Sequence, residues 1–231
     1  MLKEKKFVSE VDSIADNIKA NAKLVSKFKQ YNSTPPSFIF ERNIYANMSK
    51  IGFTMKGIKN PKICFFGDRN KILIYEIDKD SWKIFFTKTN DIEFNYYSAA
   101  VSLPNGDAIL TGGGDSCACY YFHFDTLTVE EKTPMHQCRK EHCSVMIRNK
   151  IYSIGGYDAS HNSFLQSCEM YDLEKDKWTM IADFKLAKCA FAACVVADRY
   201  IYTLGGYDGN ERLDLIEQYD VEKKEWNIIP I

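Results

Sequence analysis

Residues 151–158 read IYSIGGYD, and residues 201–208 read IYTLGGYD. An aromatic–Asp pair follows each phrase, Tyr171-Asp172 and Tyr219-Asp220, and a Trp stands seven residues after each Tyr, at Trp178 and Trp226. A phrase of this length used twice marks one supersecondary unit copied along the chain. It also favours a binding scaffold over an enzyme.

The unit extends towards the N-terminus in weaker form. Tyr75 stands seven residues before Trp82, and Phe124-Asp125 opens FDTLTVEE, with Glu131 in the Trp position. The aromatic anchors Tyr75, Phe124, Tyr171 and Tyr219 are then separated by 49, 47 and 48 residues. The glycine half recurs as Gly112-Gly113-Gly114 and, in the first copy, as Gly67 with Asp68 in the second glycine position. The distance from glycine to anchor varies between copies, which places a surface loop between fixed strands.

Within a copy the apolar residues form short runs without helical spacing. Ile201–Leu204 is β-branched and aromatic and ends at Gly205-Gly206, a strand stopped by glycines. Cys189–Ala197 is rich in small side chains and suits a crowded innermost strand; Leu215–Tyr219 and Trp226–Ile229 supply two more. Four short strands in about 48 residues, repeated, predict propeller blades. The pairs Gly112-Gly113, Gly155-Gly156 and Gly205-Gly206 serve sharp turns that have no room for a Cβ. Tyr75, Trp82, Tyr171, Trp178, Tyr219 and Trp226 bury blade faces.

The order IYxxGGYD, Tyr-Asp, Trp resembles the kelch repeat. It is nearly complete over residues 135–231, recognisable over 91–134 and weak over 38–90. The resemblance implies an all-β, kelch-type propeller over 38–231, with four visible four-stranded blades at about 38–90, 91–134, 135–184 and 185–231. The second copy lacks the Trp and the first lacks the second Gly, so those two blades should pack differently from the others. Kelch rings usually close with five to seven blades, and no remaining segment reads as a fifth. Three arrangements stay open: a closed four-blade ring, an arc completed by a partner or a second copy, and a part of a longer protein.

Residues 1–37 differ in character. Phe7, Val11, Ile14, Ile18, Val25 and Phe28 form a heptad stripe with Asn21 in the seam, and Thr34-Pro35-Pro36 ends it. The stripe predicts an α-helical extension over 1–30. It serves either as an amphipathic helix folded onto the propeller or as a coiled coil for homo- or hetero-oligomerisation. Residues 1–60 carry a net charge of +6 and the remainder −7, so a basic arm precedes an acidic propeller. Charges interrupt the N-terminal segment at every turn, which excludes a secretory signal, and no stretch is apolar enough for a membrane helix. There is no basic–aromatic stripe of the kind that reads nucleic acid.

Eight cysteines, Cys64, Cys117, Cys119, Cys138, Cys143, Cys168, Cys189 and Cys194, lie largely in apolar runs of a chain without a signal. They read as unpaired thiols in a reducing, cytoplasmic compartment. The metal-type residues Cys117, Cys119, His123, His136, Cys138, His142 and Cys143 lack the paired two-to-four spacing of a zinc site. His142 and Cys143 are adjacent, and strand neighbours point to opposite faces, which opposes a nucleophile–base pair. Gly112–Gly114 is not followed by GK[ST], so no phosphate loop is read. No metal or cofactor is expected.

The predicted working surface is the loops, Tyr157–Gln166 and Tyr207–Arg212, with His136–Glu141 and Ala182–Lys188 beside them. Its candidate partner-binding residues are Tyr157, Asp158, His161, Asn162, Tyr207, Asp208, Asn210, Arg212, Arg139 and Lys188. Mixed aromatic, amide and charged groups suit recognition of a protein segment. The expected function is a non-catalytic interaction scaffold, an adaptor or fixed subunit of a cytoskeletal or ubiquitin-ligase assembly. The alternative is a propeller enzyme acting on sugars or oxidising small substrates.

Overall fold

In the computed structural model, the structure describes residues 62–230 apart from 69–70, 77–78, 88–91 and 93. These residues belong to one compact unit, 39–231. The helical extension, the proline linker and the start of the first blade lie outside the described residues.

The described residues form antiparallel sheets in chain order. The first blade shows β1 (Lys62–Asp68), β2 (Lys71–Glu76) and β3 (Ser81–Phe86). The second is β4 (Ala99–Ser102), β5 (Ala108–Thr111), β6 (Cys119–His123) and β7 (Thr128–Lys132). The third begins with β8 (Cys143–Ile147) and β9 (Lys150–Ile154), continues through a small hairpin, β10 (Tyr157–Asp158) and β11 (Ser163–Phe164), and ends with β12 (Cys168–Asp172) and β13 (Lys177–Ile181). The fourth is β14 (Ala192–Val196), β15 (Tyr200–Leu204), β16 (Ile216–Asp220) and β17 (Glu225–Ile229). Blades two to four are four-stranded meanders, so this is the all-β blade architecture that the repeat predicts. By register, β1–β3 are the second to fourth strands of blade one, because Tyr75 pairs with both Ile63 and Trp82 as Tyr171 pairs with Ile151 and Trp178.

The second copy needs a corrected alignment. Phe122, not Phe124, pairs across the outer hairpin with Val129, while Glu131 pairs with Tyr120. Phe122 is fully buried, and Val129 occupies the Trp position. Phe124-Asp125 repeats the letters of Tyr-Asp two residues late, inside the turn. The backbone gives independent support. Asp80, Leu127, Asp176 and Lys224 all have positive φ, and each stands five residues after Tyr75, Phe122, Tyr171 or Tyr219. The true anchors are therefore 47, 49 and 48 residues apart.

Three apolar clusters lie where blades meet. Cys64, Phe66, Ile72 and Ile74 of blade one pack with Leu110, Phe122 and Val129 of blade two. Val101, Ile109 and Cys119 of blade two pack with Ile151, Tyr171 and Trp178 of blade three. Cys143, Val145, Tyr152 and Ile154 of blade three pack with Ile201, Tyr219 and Trp226 of blade four. Hydrogen bonds seal two of the seams. Trp178 Nε1 donates to Thr133 O at 2.8 Å, and Trp226 Nε1 donates to Ala182 O at 3.0 Å, each acceptor lying just past the outer strand of the preceding blade. Gly113 N donates to Arg139 O and Gly156 N to Lys188 O, both at 2.9 Å, which ties each glycine turn to the next blade.

The glycine reading holds at Gly156. Its φ is +102°, and a Cβ there would stand 2.7 Å from both His142 Cβ and Lys140 O.

The cysteines depart from expectation. Cys117 and Cys138 form a disulfide, while Cys64, Cys119, Cys143, Cys168 and Cys189 are buried thiols and Cys194 is an exposed one. Cys117 lies in the loop before β6 and Cys138 in the connection between blades two and three. The bond from Met135 N to Cys117 O at 2.8 Å holds those two segments together. Spacing along the chain, 21 residues, carries no trace of this proximity.

Candidate loop-face binding site

The loop between β9 and β12 is shaped by Asp158. This buried carboxylate accepts the backbone N–H of Ser160 and His161, the His161 ring at 2.8 Å and the Gln137 amide. Burial alone would raise its pKa; the His161 ring and these donors outweigh that and hold it below the ordinary carboxylate range. Asp208 repeats the device in blade four. It accepts the N–H of Asn210 and Glu211, each at 2.8 Å, and those backbone donors lower its pKa. Both aspartates are therefore turn-forming groups: their short acceptors fix the backbone two and three residues on.

The fixed loops present a row of rings. Tyr157 meets Phe164 edge-on at 5.1 Å across β10–β11, and Phe164 meets Tyr207 of the next blade edge-on at 5.7 Å. The Lys140 ammonium lies 5.4 Å from the Tyr157 ring centre. The Tyr157 hydroxyl donates to Asn162 Oδ1, and the Tyr207 hydroxyl donates to Gly209 O at 2.7 Å. Gly209 has positive φ, and a Cβ there would collide with the Phe164 ring at 2.7 Å, so the blade-four loop passes directly over that ring. The result is an aromatic ridge spanning two blades, bordered by exposed His161, Asn162, Asn210, Glu211 and Arg212.

Two predicted contact residues do not reach this surface. Arg139 and Lys188 are fully buried. The Arg139 guanidinium donates to Gly155 O at 2.7 Å, Ser167 O at 2.9 Å and the Glu169 carboxylate at 2.8 Å. Lys188 Nζ stands 2.7 Å from the Glu217 carboxylate and over the Phe184 ring at 4.8 Å. Both cations therefore belong to the interior. Burial would raise the Glu169 pKa, but Arg139 and the His136 N–H hold it below the usual range. A signal for this was present in the sequence: Glu169 and Glu217 each stand two residues before a Tyr anchor. Sequence reasoning also missed Phe164 and Lys140, whose role comes from the β10–β11 pairing.

The histidines of the rejected metal set go to separate places. His136 bonds Glu169, His123 faces Asp107 and Glu130, and His142 Nε2 meets Thr111 Oγ1 at 2.9 Å. Cys143 Sγ instead points to Phe191 O, on the blade-four side, so His142 and Cys143 do face apart. Burial drives the His142 pKa well below its ordinary value, leaving a neutral imidazole.

Repeated antiparallel meanders, glycine turns locked to the next blade and Tyr–Trp seams define a repeat-built β-propeller. Residues 53–231 match the family model described as the KLHDC2/KLHL20/DRC7 Kelch-repeats domain, and the chain belongs to the kelch-repeat family. Among curated proteins it is similar to Kelch-like protein 38 of Rattus norvegicus, 29% identical over 163 residues, which cover 67% of this chain and 27% of that one. It is similar to Kelch repeat and BTB domain-containing protein 2 of Cowpox virus (strain GRI-90 / Grishak), 31% identical over 140 residues, 58% of this chain and 24% of that one. It is also similar to Kelch-like protein 4 of Homo sapiens, 38% identical over 69 residues, 29% of this chain and 10% of that one. The matched regions thus span about a quarter or less of these relatives' length.

Proposed function

We propose that this propeller is a non-catalytic protein-interaction module that holds a polypeptide segment of a partner on its loop face. The observation that carries the reading is the Tyr157–Phe164–Tyr207 ridge with Lys140 at one end. Aromatic groups dominate interface energetics, and groups already fixed before binding lose little entropy on association. Here Asp158 and Asp208 fix the turns and Gly209 presses on Phe164, so the ridge is preorganised.

Kelch repeats are in general interaction domains without catalytic activity, which supports the scaffold over the sugar-active or oxidising enzyme. The relatives' names pair kelch repeats with a BTB domain or, in a Dictyostelium discoideum protein, with a RING finger domain. That pairing supports a role as the partner-binding part of a larger assembly, as an adaptor or a fixed subunit, cytoskeletal or ubiquitin-ligase. The heptad stripe over residues 1–30 serves this reading as an attachment segment.

The test is affinity capture with the parent chain and with Tyr207→Ala and Phe164→Ala variants, read by mass spectrometry and titration of the captured partner. A partner held by the parent and weakened at least tenfold by both variants, about 1.4 kcal/mol, fits the reading. A partner whose affinity neither variant moves refutes it. Stoichiometric copper or zinc on the purified chain would favour the enzyme.

A further inference from the structure

The connection that opens a blade is held by the glycine loop of the blade before it. At the seam between blades three and four the holding residue is Gln166. Its backbone O accepts Phe184 N at 2.9 Å, and its amide Nε2 donates to Lys185 O at 3.2 Å. Cys117 is the same position one blade earlier, since Cys119 and Cys168 open the matched strands β6 and β12. Its backbone O accepts Met135 N at 2.8 Å, as Gln166 O accepts Phe184 N. In place of the side-chain amide it has the disulfide to Cys138. The residue matching Cys138 in the later seam is Ala187, 49 residues on. One tie is a hydrogen bond indifferent to redox state; the other is a covalent bond that a thiol can break.

The place of the disulfide decides what it holds. Cys138 lies between Gln137, whose amide holds the Asp158 turn, and Arg139, which is clamped to Gly155 O, Ser167 O and Glu169. Lys140 pairs with Tyr157 through two backbone bonds, at 3.0 and 2.8 Å, and lies over its ring. Cys117 and Cys138 are half-buried and within reach of a small thiol, whereas Cys64, Cys119, Cys143, Cys168 and Cys189 are buried. Thiol chemistry follows such access. Opening the disulfide does not open the seam, because the bonds Gly113 N to Arg139 O, Met135 N to Cys117 O and Trp178 Nε1 to Thr133 O do not depend on it. Its effect is local, on residues 113–118 and 135–140.

We propose that Cys117–Cys138 is a redox-responsive site that sets the rigidity of the loop face and, through it, the hold on the partner. The second half rests on the loop-face reading above. The reductant is a small thiol of the glutathione class. Its thiolate attacks one sulfur, the S–S bond breaks, and the other cysteine leaves as a thiolate that takes up a proton. A second glutathione thiolate then attacks the mixed disulfide. Two glutathione thiols become one glutathione disulfide, and their two electrons and two protons end on Cys117 and Cys138. The oxidised pair keeps the Gln137–Lys140 stretch preorganised; in the reduced chain, binding must order it again.

The experiment equilibrates the full chain in glutathione buffers stepped from oxidising to reducing. Each cysteine is scored by differential alkylation after acid quench and unfolding, and amide hydrogen exchange is read on the same native samples. Cys117 and Cys138 should pass together from disulfide to thiol, while Cys119, Cys143 and Cys168 read as thiols throughout. Exchange should speed several-fold over residues 113–118 and 135–140, but not over 165–167 and 184–188, where Gln166 makes the tie. The double variant Cys117→Ser, Cys138→Ser should show the reduced pattern in every buffer with an unchanged circular dichroism spectrum. Titration of the partner captured by the parent chain reads the second half: affinity falls about tenfold on reduction, and the double variant binds at the lower affinity throughout. A pair that stays oxidised in excess reduced glutathione, or exchange that reduction leaves unchanged in both segments, overturns the redox site. Exchange that changes while affinity does not overturns its link to binding. A chain that holds no partner in either state fails the loop-face reading, and the alkylation and exchange results still decide the redox site.

Discussion

At Gly156 the backbone turns at φ +102° with carbonyl and side-chain atoms within 2.7 Å of where a Cβ would stand. Gly156→Val therefore meets two independent penalties: left-handed strain of about 1–3 kcal/mol and collision with the Lys140 carbonyl. The variant should melt far below the parent or fail to accumulate as soluble protein; a parent-like melting curve would count against this reading. His142 makes a second prediction. Its imidazole is kept neutral by burial, so below pH 6.5 the unfolded chain takes up a proton that the folded chain refuses. Stability should fall as pH drops from about 6.5. A further fall follows below about 4.5, where the depressed carboxyls Glu169, Asp158 and Asp220 lose their advantage over the unfolded chain. Phe191 holds the position of His142 in blade four, 49 residues on. His142→Phe should remove the first fall and leave the second, as read from melting temperature across pH.

Within a blade, the element that departs most from the sequence reading is the buried ion pair. Arg139 reaches from the start of blade three to the third strand and closes on Glu169, and Lys188 repeats the reach to Glu217. In blade two the residue two before the anchor is Tyr120, and in blade one it is Leu73, so this device belongs to blades three and four. Arg139→Met should cost about 3–5 kcal/mol, because Glu169 is left charged and buried without its partner. Adding Glu169→Leu should recover part of the loss. Full recovery is not expected, since Glu169 also accepts the N–H groups of His136 and Gln137. Denaturant titration of the single and double variants checks this; a single variant within about 0.5 kcal/mol of the parent, the range of ordinary surface changes, would refute it. The strands and glycine turns were legible in the sequence because short apolar runs, Gly pairs and Tyr–Trp spacing are local signals. The fate of Arg139 was only indirectly legible, through Glu169 standing two residues before the Tyr171 anchor, because a cation in a loop reads as solvent-facing until a carboxylate about 30 residues away is brought beside it. The anchor of blade two was misplaced for a related reason: Phe124-Asp125 matches the letters, while pairing with Val129 picks out Phe122. The ridge was half legible. Tyr157 and Tyr207 follow the Gly pairs directly, but Phe164 joins them only through a hairpin that sequence spacing does not show.

Across the whole molecule, the three tryptophans sit one each in blades one, three and four, at Trp82, Trp178 and Trp226. Each therefore reports one Tyr–Trp face. Repeat proteins behave as neighbouring units whose stability is a sum of repeat and interface contributions, and weak seams uncouple first. The faces of Trp178 and Trp226 are locked by indole–carbonyl bonds to the preceding blade and by the Gly156–Lys188 bond between blades three and four. Trp82 has the ring pairing without the bond. Three variants that each keep a single Trp and carry Phe at the other two positions allow these faces to be followed separately by fluorescence. In urea, the transitions of Trp178 and Trp226 should coincide, because blades three and four share one core and two locks. The Trp82 transition should come at lower urea, since its face lacks a lock that the other two possess. Coincidence of all three would mean that blade one is coupled to the rest as tightly as blades three and four are to each other. The absent acceptor at Trp82 would then carry no weight in the stability of blade one.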